Sequence, residues 1–158
     1  VSALAGVPSL ELVEAAWAAR TPSDAIRAAS YDLGRAYRRL ALRLWPAHPS
    51  IRLLDELPAV SRAVALGAIA AATGLSAEQL VRLVGYDDVQ TVVAAALKLV
   101  PFDPVVATQW VLALSSDIEL LVPLADLTRP EDIPAPSAPL IEAWAQAHAQ
   151  TTRRLFRA

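Results

Sequence analysis

The chain has 158 residues, which is long enough for one domain with a substantial core and short for two. Its residues are 55% apolar but only 6% aromatic, a balance that favours helices over sheets. The net charge of −2 does not point to a polyanion such as nucleic acid, and the absence of cysteine excludes disulfides, thiolate metal sites and cysteine nucleophiles.

The first half of the chain carries clear helix signals. Ser9 is a candidate N-cap for a first helix that runs through Arg20. Residues 21–24 then supply a cap, a proline for the first helical position and an acid, so a second helix is predicted to start there and to end near Trp45, before Pro46. The predicted apolar face of this second helix is spaced by threes and fours: Ile26, Ala29, Leu33, Tyr37, Leu40 and Leu44.

The next segment is predicted to be a loop that contains His48 and Pro49. A third helix is predicted from Pro58 to Gly74, which is a good residue to follow a helix C-terminus. Because this third helix is apolar on nearly every side, we expect it to be buried.

The second half of the chain continues the pattern. Ser76 and Gln79 can form a capping box for a fourth helix that Pro101 terminates. Asp103 is predicted to start a fifth helix that extends to about Leu121.

A proline-rich loop over residues 128–139 and a last helix from Leu140 to the chain end complete the prediction. We therefore expect a compact all-α bundle of about six helices, without β-sheet, that forms a single domain over residues 1–158.

No segment of the given sequence is predicted to span a membrane or to act as a secretory leader. The most apolar stretch, residues 63–73, is far shorter than the roughly 20 residues that a membrane span requires. No basic-then-apolar leader is visible, so we expect a cytoplasmic protein without membrane association. Because methionine is absent and the chain opens at Val1, we also expect its N-terminal part to be missing.

The residues that could support catalysis are sparse. The two histidines, His48 and His148, are far apart and have no ligand partners at the spacing of a zinc site. Asp87 and Asp88 are similar to the paired aspartates that hold magnesium in terpenoid synthases, but a third acid and a second metal motif are missing. The sequence therefore predicts no catalytic residue, no metal site and no enzyme activity.

The second helix has many arginines, among which Arg35, Arg38 and Arg39 are a candidate interface. A DNA-recognition helix is disfavoured because this helix is too long for a helix-turn-helix pair, and because Tyr31 and Leu42 interrupt the basic face. Two interpretations remain open: a solvated arginine face, and a protein-binding face of the kind that arginine and tyrosine favour.

The fourth helix has apolar residues around most of its circumference. Arg82, Tyr86, Val89 and Val93 fall on one side, and we expect this side to form a homodimer interface, since one helix in a small monomer cannot bury all its faces. The alternative is a central helix that its own chain encloses.

Several segments, taken in order, resemble the UreF family of urease accessory proteins. The matching segments cover about residues 12–158: Arg20-Thr21-Pro22 to Ala29-Ser30 with Gly34-Arg35 and Leu40, Ala65-Leu66-Gly67 to Thr73-Gly74-Leu75, Tyr86 with residues 94–101, and His148 with residues 154–158. The chain departs from the family pattern at Asp87-Asp88, Ala149 and Ala158, and the N-terminal motif of the family is absent.

The resemblance implies a non-catalytic scaffold. UreF proteins are helical dimers that bind UreD (UreH in some organisms) and recruit the GTPase UreG, which delivers nickel to the urease apoenzyme. Nickel and GTP would then be handled by the partners, and this chain would bind no cofactor. The resemblance places Arg82 and Tyr86 in the dimer region and Lys98 on the face that meets the GTPase. It also implies a tail that becomes ordered against UreD/UreH: His148, Arg154, Leu155, Phe156 and Arg157.

Two alternatives stay open at this stage. Lys98 lies near the negative end of its helix, so it could serve only as a favourable helix-end charge. The whole chain could instead be a dimeric regulatory or ligand-binding domain, similar to the effector half of a TetR-like repressor. That alternative requires an internal apolar pocket and a basic DNA-reading domain upstream.

Overall fold

The computed structural model describes residues 9–127 and 129–151, and these residues form helices without any β-strand. This confirms the predicted all-α class. The α-helices of the described residues are, in chain order, α1 (Leu10–Ala19), α2 (Asp24–Leu44), α3 (Pro49–Glu56), α4 (Arg62–Thr73), α5 (Ala77–Leu99), α6 (Pro104–Ala113), α7 (Ser115–Glu119) and α8 (Pro139–Ala149). The chain divides into two compact units, one containing α1 to α4 with α8 and the other containing α5 to α7. A single domain over residues 1–158, like the dimer, stays a prediction.

The junction between α1 and α2 differs by two residues from the prediction. Ser9 caps α1, as expected, but the cap of α2 is Ser23, whose hydroxyl oxygen accepts a hydrogen bond from the Ile26 amide at 3.4 Å. The Thr21 hydroxyl is directed back to α1 instead, where it donates to the Trp17 carbonyl at 3.0 Å. Pro22 therefore precedes the cap of α2 and does not occupy its first turn.

Helix α3 is absent from the prediction, which assigned His48 and Pro49 to a loop. Pro49 occupies the first turn of α3, and the His48 ring caps it by accepting from the Ser50 amide at 3.3 Å. The helix buries Ile51 and Leu54 completely in the core of the first unit. Pro is well tolerated at this first helical position, because its missing N–H would have no partner there.

The predicted third helix was wrong at its start. Residues 57–61 cross over from α3, and α4 begins at Arg62 after Ser61, whose hydroxyl accepts from the Val64 amide at 3.3 Å. The predicted end is confirmed, since Gly74 adopts the left-handed conformation (φ 76°) that favours glycine. The helix is not buried on every side, because Ala63 and Gly67 are exposed.

The predicted apolar face of α2 was also partly wrong. Leu40 on that face is 49% exposed, and Leu33 and Leu44 are exposed as well. Helix α2 instead packs on α4 and the segment before it through the small residues Gly34 and Ala41, which are buried. Because small residues allow backbones to approach closely, tertiary packing outweighs the leucine periodicity here. The buried core of this unit comprises Ala41, Ile51, Leu54, Leu57, Val60, Val64, Ala65 and Ala68.

In the second unit the predicted capping box of α5 is confirmed. The Gln79 amide donates to the Ser76 hydroxyl oxygen at 3.2 Å, and the Ser76 amide donates to the Gln79 side chain at 2.8 Å. The predicted fifth helix is broken near Leu114 into α6 and α7, and a 3₁₀ helix, Val122–Asp126, follows. The core of this unit is small: Val93, Ala107 and Val111 form a buried cluster with Val89 and Phe102 packed against it, and Ile118 on α7 is buried as well.

The proline-rich segment before α8 is attached to α1 within the first unit. It contains a short 3₁₀ helix, Pro130–Asp132. Arg20, at the end of α1, donates from Nε to the Ile133 carbonyl at 2.6 Å and from Nη2 to the Glu131 carbonyl at 2.9 Å. One arginine thus holds this connection in place, and α8 begins at Pro139, one residue before the predicted start.

Candidate functional site

The residues predicted for the dimer interface lie on one stripe of α5 that is exposed at one end and buried at the other. Tyr86 is 52% exposed, whereas Val93 is 6% exposed and belongs to the core, with Val89 packed beside it. The difference arises because α6 covers the second half of the stripe. Of the four predicted residues, Tyr86 is exposed, Arg82 and Val89 are half-buried, and Val93 is buried.

Arg82 is held within its own unit by ion pairs. Its Nε and Nη2 donate to the Glu119 carboxylate at 2.7 and 2.9 Å, and Nη1 lies 3.5 Å from the Glu78 carboxylate. The bidentate pair joins α5 to α7 and fixes the plane of the guanidinium. The hydrogen bonds from Arg82 hold the pKa of Glu119 below its usual value, so Glu119 is ionised at neutral pH.

The second unit exposes many large apolar side chains on α5, on α6 and just after α7. These residues are Leu83, Tyr86, Val92, Leu99, Val105, Trp110, Leu112 and Leu120. Dense apolar exposure of this kind is typical of a protein-interaction surface. A unit with so small a core gains stability when another protein covers such a surface.

Lys98 is exposed in the last turn of α5. A cation at this position is favoured by the partial negative charge of the helix C-terminus. Its neighbours Leu97, Leu99 and Val100 are exposed apolar residues. The position thus combines a positive charge with an apolar surround, an arrangement suited to contact with a protein.

The described part of the predicted tail is the end of α8. His148 is exposed in its last turn, and its carbonyl accepts a hydrogen bond from the Thr151 hydroxyl at 2.7 Å. Earlier in the helix, Leu140, Ile141 and Trp144 are more than half exposed. The other predicted tail residues, Arg154, Leu155, Phe156 and Arg157, lie outside the described residues.

The three arginines predicted as a further interface are brought together at a groove, which we call the arginine groove. It has a volume of about 420 Å³ and lies between α2 and the segment that leads into α4. Its lining consists of Tyr31, Arg35, Arg38, Arg39, Pro58, Ala59 and Val60. The sequence predicted the arginines but not the opposite wall, which depends on how residues 57–61 cross over.

Sequence reasoning missed a buried carboxylate behind this groove. Glu14 on α1 is only 9% exposed, and its Oε2 accepts a hydrogen bond from the Ser61 amide at 3.0 Å, whereas Oε1 has no partner within the described residues. The carboxylate thereby caps the positive N-terminal end of α4. Burial, together with the nearby negative charge of Glu14, raises the pKa of Tyr31. The only signal in the sequence is that Glu14 is one of two acids, with Glu11, in an otherwise apolar first helix.

The described ranges contain no candidate metal site and no candidate membrane span. Across residues 9–127 and 129–151, no three histidine or acidic side chains converge in a way that could hold a metal ion. Within the same ranges, no helix combines the length and the apolar character that crossing a membrane would require.

Comparison with known proteins decides the family. The UreF family model matches residues 3–115, which is well over half of the chain. The chain belongs to the UreF family. No solved structure matches it significantly.

Curated relatives of this UreF-family chain come from mycobacteria. It is 37% identical over 142 residues to the urease accessory protein UreF of Mycobacterium sp. strain JLS, with 87% of this chain and 62% of that protein covered. The corresponding proteins of Mycobacterium marinum and Mycobacterium tuberculosis H37Rv are 35% and 34% identical over 144 residues, with the same coverage of both chains. The chain thus spans about three fifths of the length of these relatives.

Proposed function

We propose that this chain is a urease accessory protein that acts as a cytoplasmic, non-catalytic scaffold. Together with UreD/UreH, it recruits the GTPase UreG so that nickel is inserted into the urease apoenzyme. The observation that carries this proposal is membership of the UreF family, whose mycobacterial relatives are named as urease accessory proteins. This membership also favours the scaffold over a TetR-like effector domain.

The surface chemistry supports a scaffold that binds proteins. The second unit presents exposed apolar side chains, and we assign its Tyr86 side to a homodimer contact. Arg82 orients this surface through its pair with Glu119, while Val89 and Val93 support it from the core. Aromatic residues and arginine are the types that interfaces enrich, so this edge of α5 fits the role.

Lys98 is the residue that we assign to the GTPase-facing surface. An exposed cation at the rim of an interface mainly speeds association with a partner. The tail, His148 with residues 154–157, is assigned to UreD/UreH. Lys98 lies on α5 and His148 on α8, so variants of Lys98 and of the tail can be tested separately.

The test is urease activation in cells that supply UreD/UreH, UreG and the urease apoenzyme at limiting nickel. Lys98→Ala should lose UreG recruitment and urease activity while it retains dimerisation and UreD/UreH binding. Arg52→Ala, which removes an exposed cation on α3, is the matched control and should leave activity unchanged. Normal activity of Lys98→Ala, with only a stability loss of about 0.3–1 kcal/mol, would show that Lys98 is merely a helix-end charge.

A further inference from the structure

The arginine groove has more positive than negative charge on its walls. Arg35 pairs with Asp32 on the same helix, and Nε of Arg38 lies 3.7 Å from the Asp55 carboxylate. Arg39 has neither a hydrogen bond nor an ion pair within the part of the chain that the structure describes. Three guanidinium groups therefore face only two carboxylates, and all three sit on one stretch of α2.

The two existing ion pairs are of a kind that a ligand can replace. The side chains of Arg35 and Asp32 are both about half exposed or more, and pairs of this type contribute little to stability. Arg38 is held differently, since its Nη1 donates to the Leu57 carbonyl at 2.8 Å. This contact fixes the Arg38 guanidinium at the groove. Its other N–H groups can then donate hydrogen bonds to a ligand.

The remaining lining of the groove is suited to a peptide. Pro58 and Ala59 form an apolar wall opposite the arginines. The Tyr31 ring is held edge-on against Trp17, with the ring centroids 5.4 Å apart. Apolar walls exclude water from one side of a bound group and thereby strengthen charge contacts. Guanidinium groups pair with carboxylates through two parallel hydrogen bonds, which adds geometric selectivity.

We infer that the arginine groove binds an acidic segment of a partner protein, whose aspartate or glutamate carboxylates pair with Arg35, Arg38 and Arg39. A nucleic acid fits less well, because phosphate backbones require long basic tracks and this chain has a net charge of −2. The groove is also short and has a wall of Pro58 and Ala59. The proposed contact depends on the side chains that line the groove and not on which partners serve in urease maturation.

The test measures binding of a short fluorescein-labelled, glutamate-rich peptide to the full chain by fluorescence anisotropy. The same peptide with glutamine in place of glutamate is the control ligand. We expect saturable binding of the acidic peptide alone, weakened about tenfold by Arg39→Glu. Arg43→Glu makes the same charge change on exposed α2 surface outside the groove lining and should alter the affinity by less than about twofold.

Each other outcome overturns the inference. Equal weakening by Arg39→Glu and Arg43→Glu would show unspecific attraction to a basic helix. Tighter binding of a single-stranded oligonucleotide, lost in Arg39→Glu, would assign the groove to nucleic acid. No binding, or equal binding of the glutamine peptide, would also contradict it. Circular dichroism confirms the fold of each variant, and Arg39→Gln repeats the test if the reversed charge prevents folding.

Discussion

Gly34 marks the closest approach between α2 and the segment that enters α4. A Cβ atom at this position would lie 1.9 Å from the Val60 carbonyl oxygen and 2.8 Å from the Ser61 carbonyl carbon. Both atoms belong to the backbone, so neither can rotate away. The absence of a side chain at Gly34 therefore determines how closely these two elements pack.

Gly34→Ala should lower the free energy of unfolding by about 3 kcal/mol or more, because a buried methyl group would force the two backbones apart. Gly67→Ala is the matched control, since no atom lies within 4 Å of its added Cβ and the residue is exposed within α4. We expect Gly67→Ala to raise the free energy of unfolding by about 0.5–1 kcal/mol. Urea denaturation measures the free energy of unfolding of both variants. Similar values for Gly34→Ala and Gly67→Ala would contradict the close packing at Gly34.

Glu14 is the second residue whose role depends on one contact. Glu14→Ala should cost about 1–3 kcal/mol, because the buried Ser61 amide would lose its acceptor. Glu14→Gln keeps an acceptor oxygen for this amide and should therefore lower the free energy of unfolding by less. Thermal unfolding compares the two variants with Glu11→Ala, an exposed change on the same helix. If Glu14→Ala and Glu11→Ala both lower the melting temperature only slightly and equally, the hydrogen bond between Glu14 and the Ser61 amide contributes nothing to stability.

At the scale of elements, the Arg82–Glu119 pair joins α5 to α7 and makes that connection dependent on pH. The pKa of Glu119 is lowered in the folded protein, chiefly by the hydrogen bonds from Arg82. The contribution to stability is thus present above the ordinary glutamate pKa of about 4.3 and is lost as the pH falls through the lowered value.

NMR titration of the Glu119 carboxyl should therefore give a midpoint below the ordinary value. In Arg82→Gln the midpoint should return towards that value, because the charged donor is gone. The titration of Asp132, whose pKa is lowered by Arg129, is the internal control and should not change. An identical midpoint for Glu119 in the parent and in Arg82→Gln would rule out the Arg82–Glu119 ion pair.

The elements that the sequence predicts well are those with local signals. The Ser9 cap and the Ser76–Gln79 capping box involve only neighbouring residues, and both are present in the structure. Helix α3 was missed because a proline that starts a helix was interpreted as part of a loop. The exposed leucines of α2 were misassigned because burial on that helix depends on α4, which no local pattern reveals.

The candidate sites likewise contain parts that local sequence signals predict and parts that depend on residues distant in the chain. The arginines of the groove could be predicted because they share one helix. Glu14 and Ser61 are 47 residues apart, and the wall of Pro58 and Ala59 comes from a segment predicted to be helical, so neither could be predicted from local patterns. Val93 was assigned to an interface but lies in the core, since α6 folds over it.

At the scale of the whole molecule, the proposed dimer rests on the exposed half of the α5 stripe. Tyr86→Asp should weaken self-association, because it would place an unpaired charge in a desolvated interface. Thr91→Asp is the matched control, as it changes an exposed residue on a different face of the same helix and should leave the dimer intact. Light scattering after size-exclusion chromatography reports the mass of each. If the parent and Tyr86→Asp are the same monomer, the dimer proposal is wrong.

We propose that this UreF-family chain joins UreD/UreH to the GTPase UreG. Affinity purification through a tag on UreD/UreH, from cells that also produce UreG with or without this chain, tests it most directly. The proposal predicts that UreG is retained only when the chain is present. Retention of UreG that is equal with and without the chain, or no retention in either case, would contradict the claim.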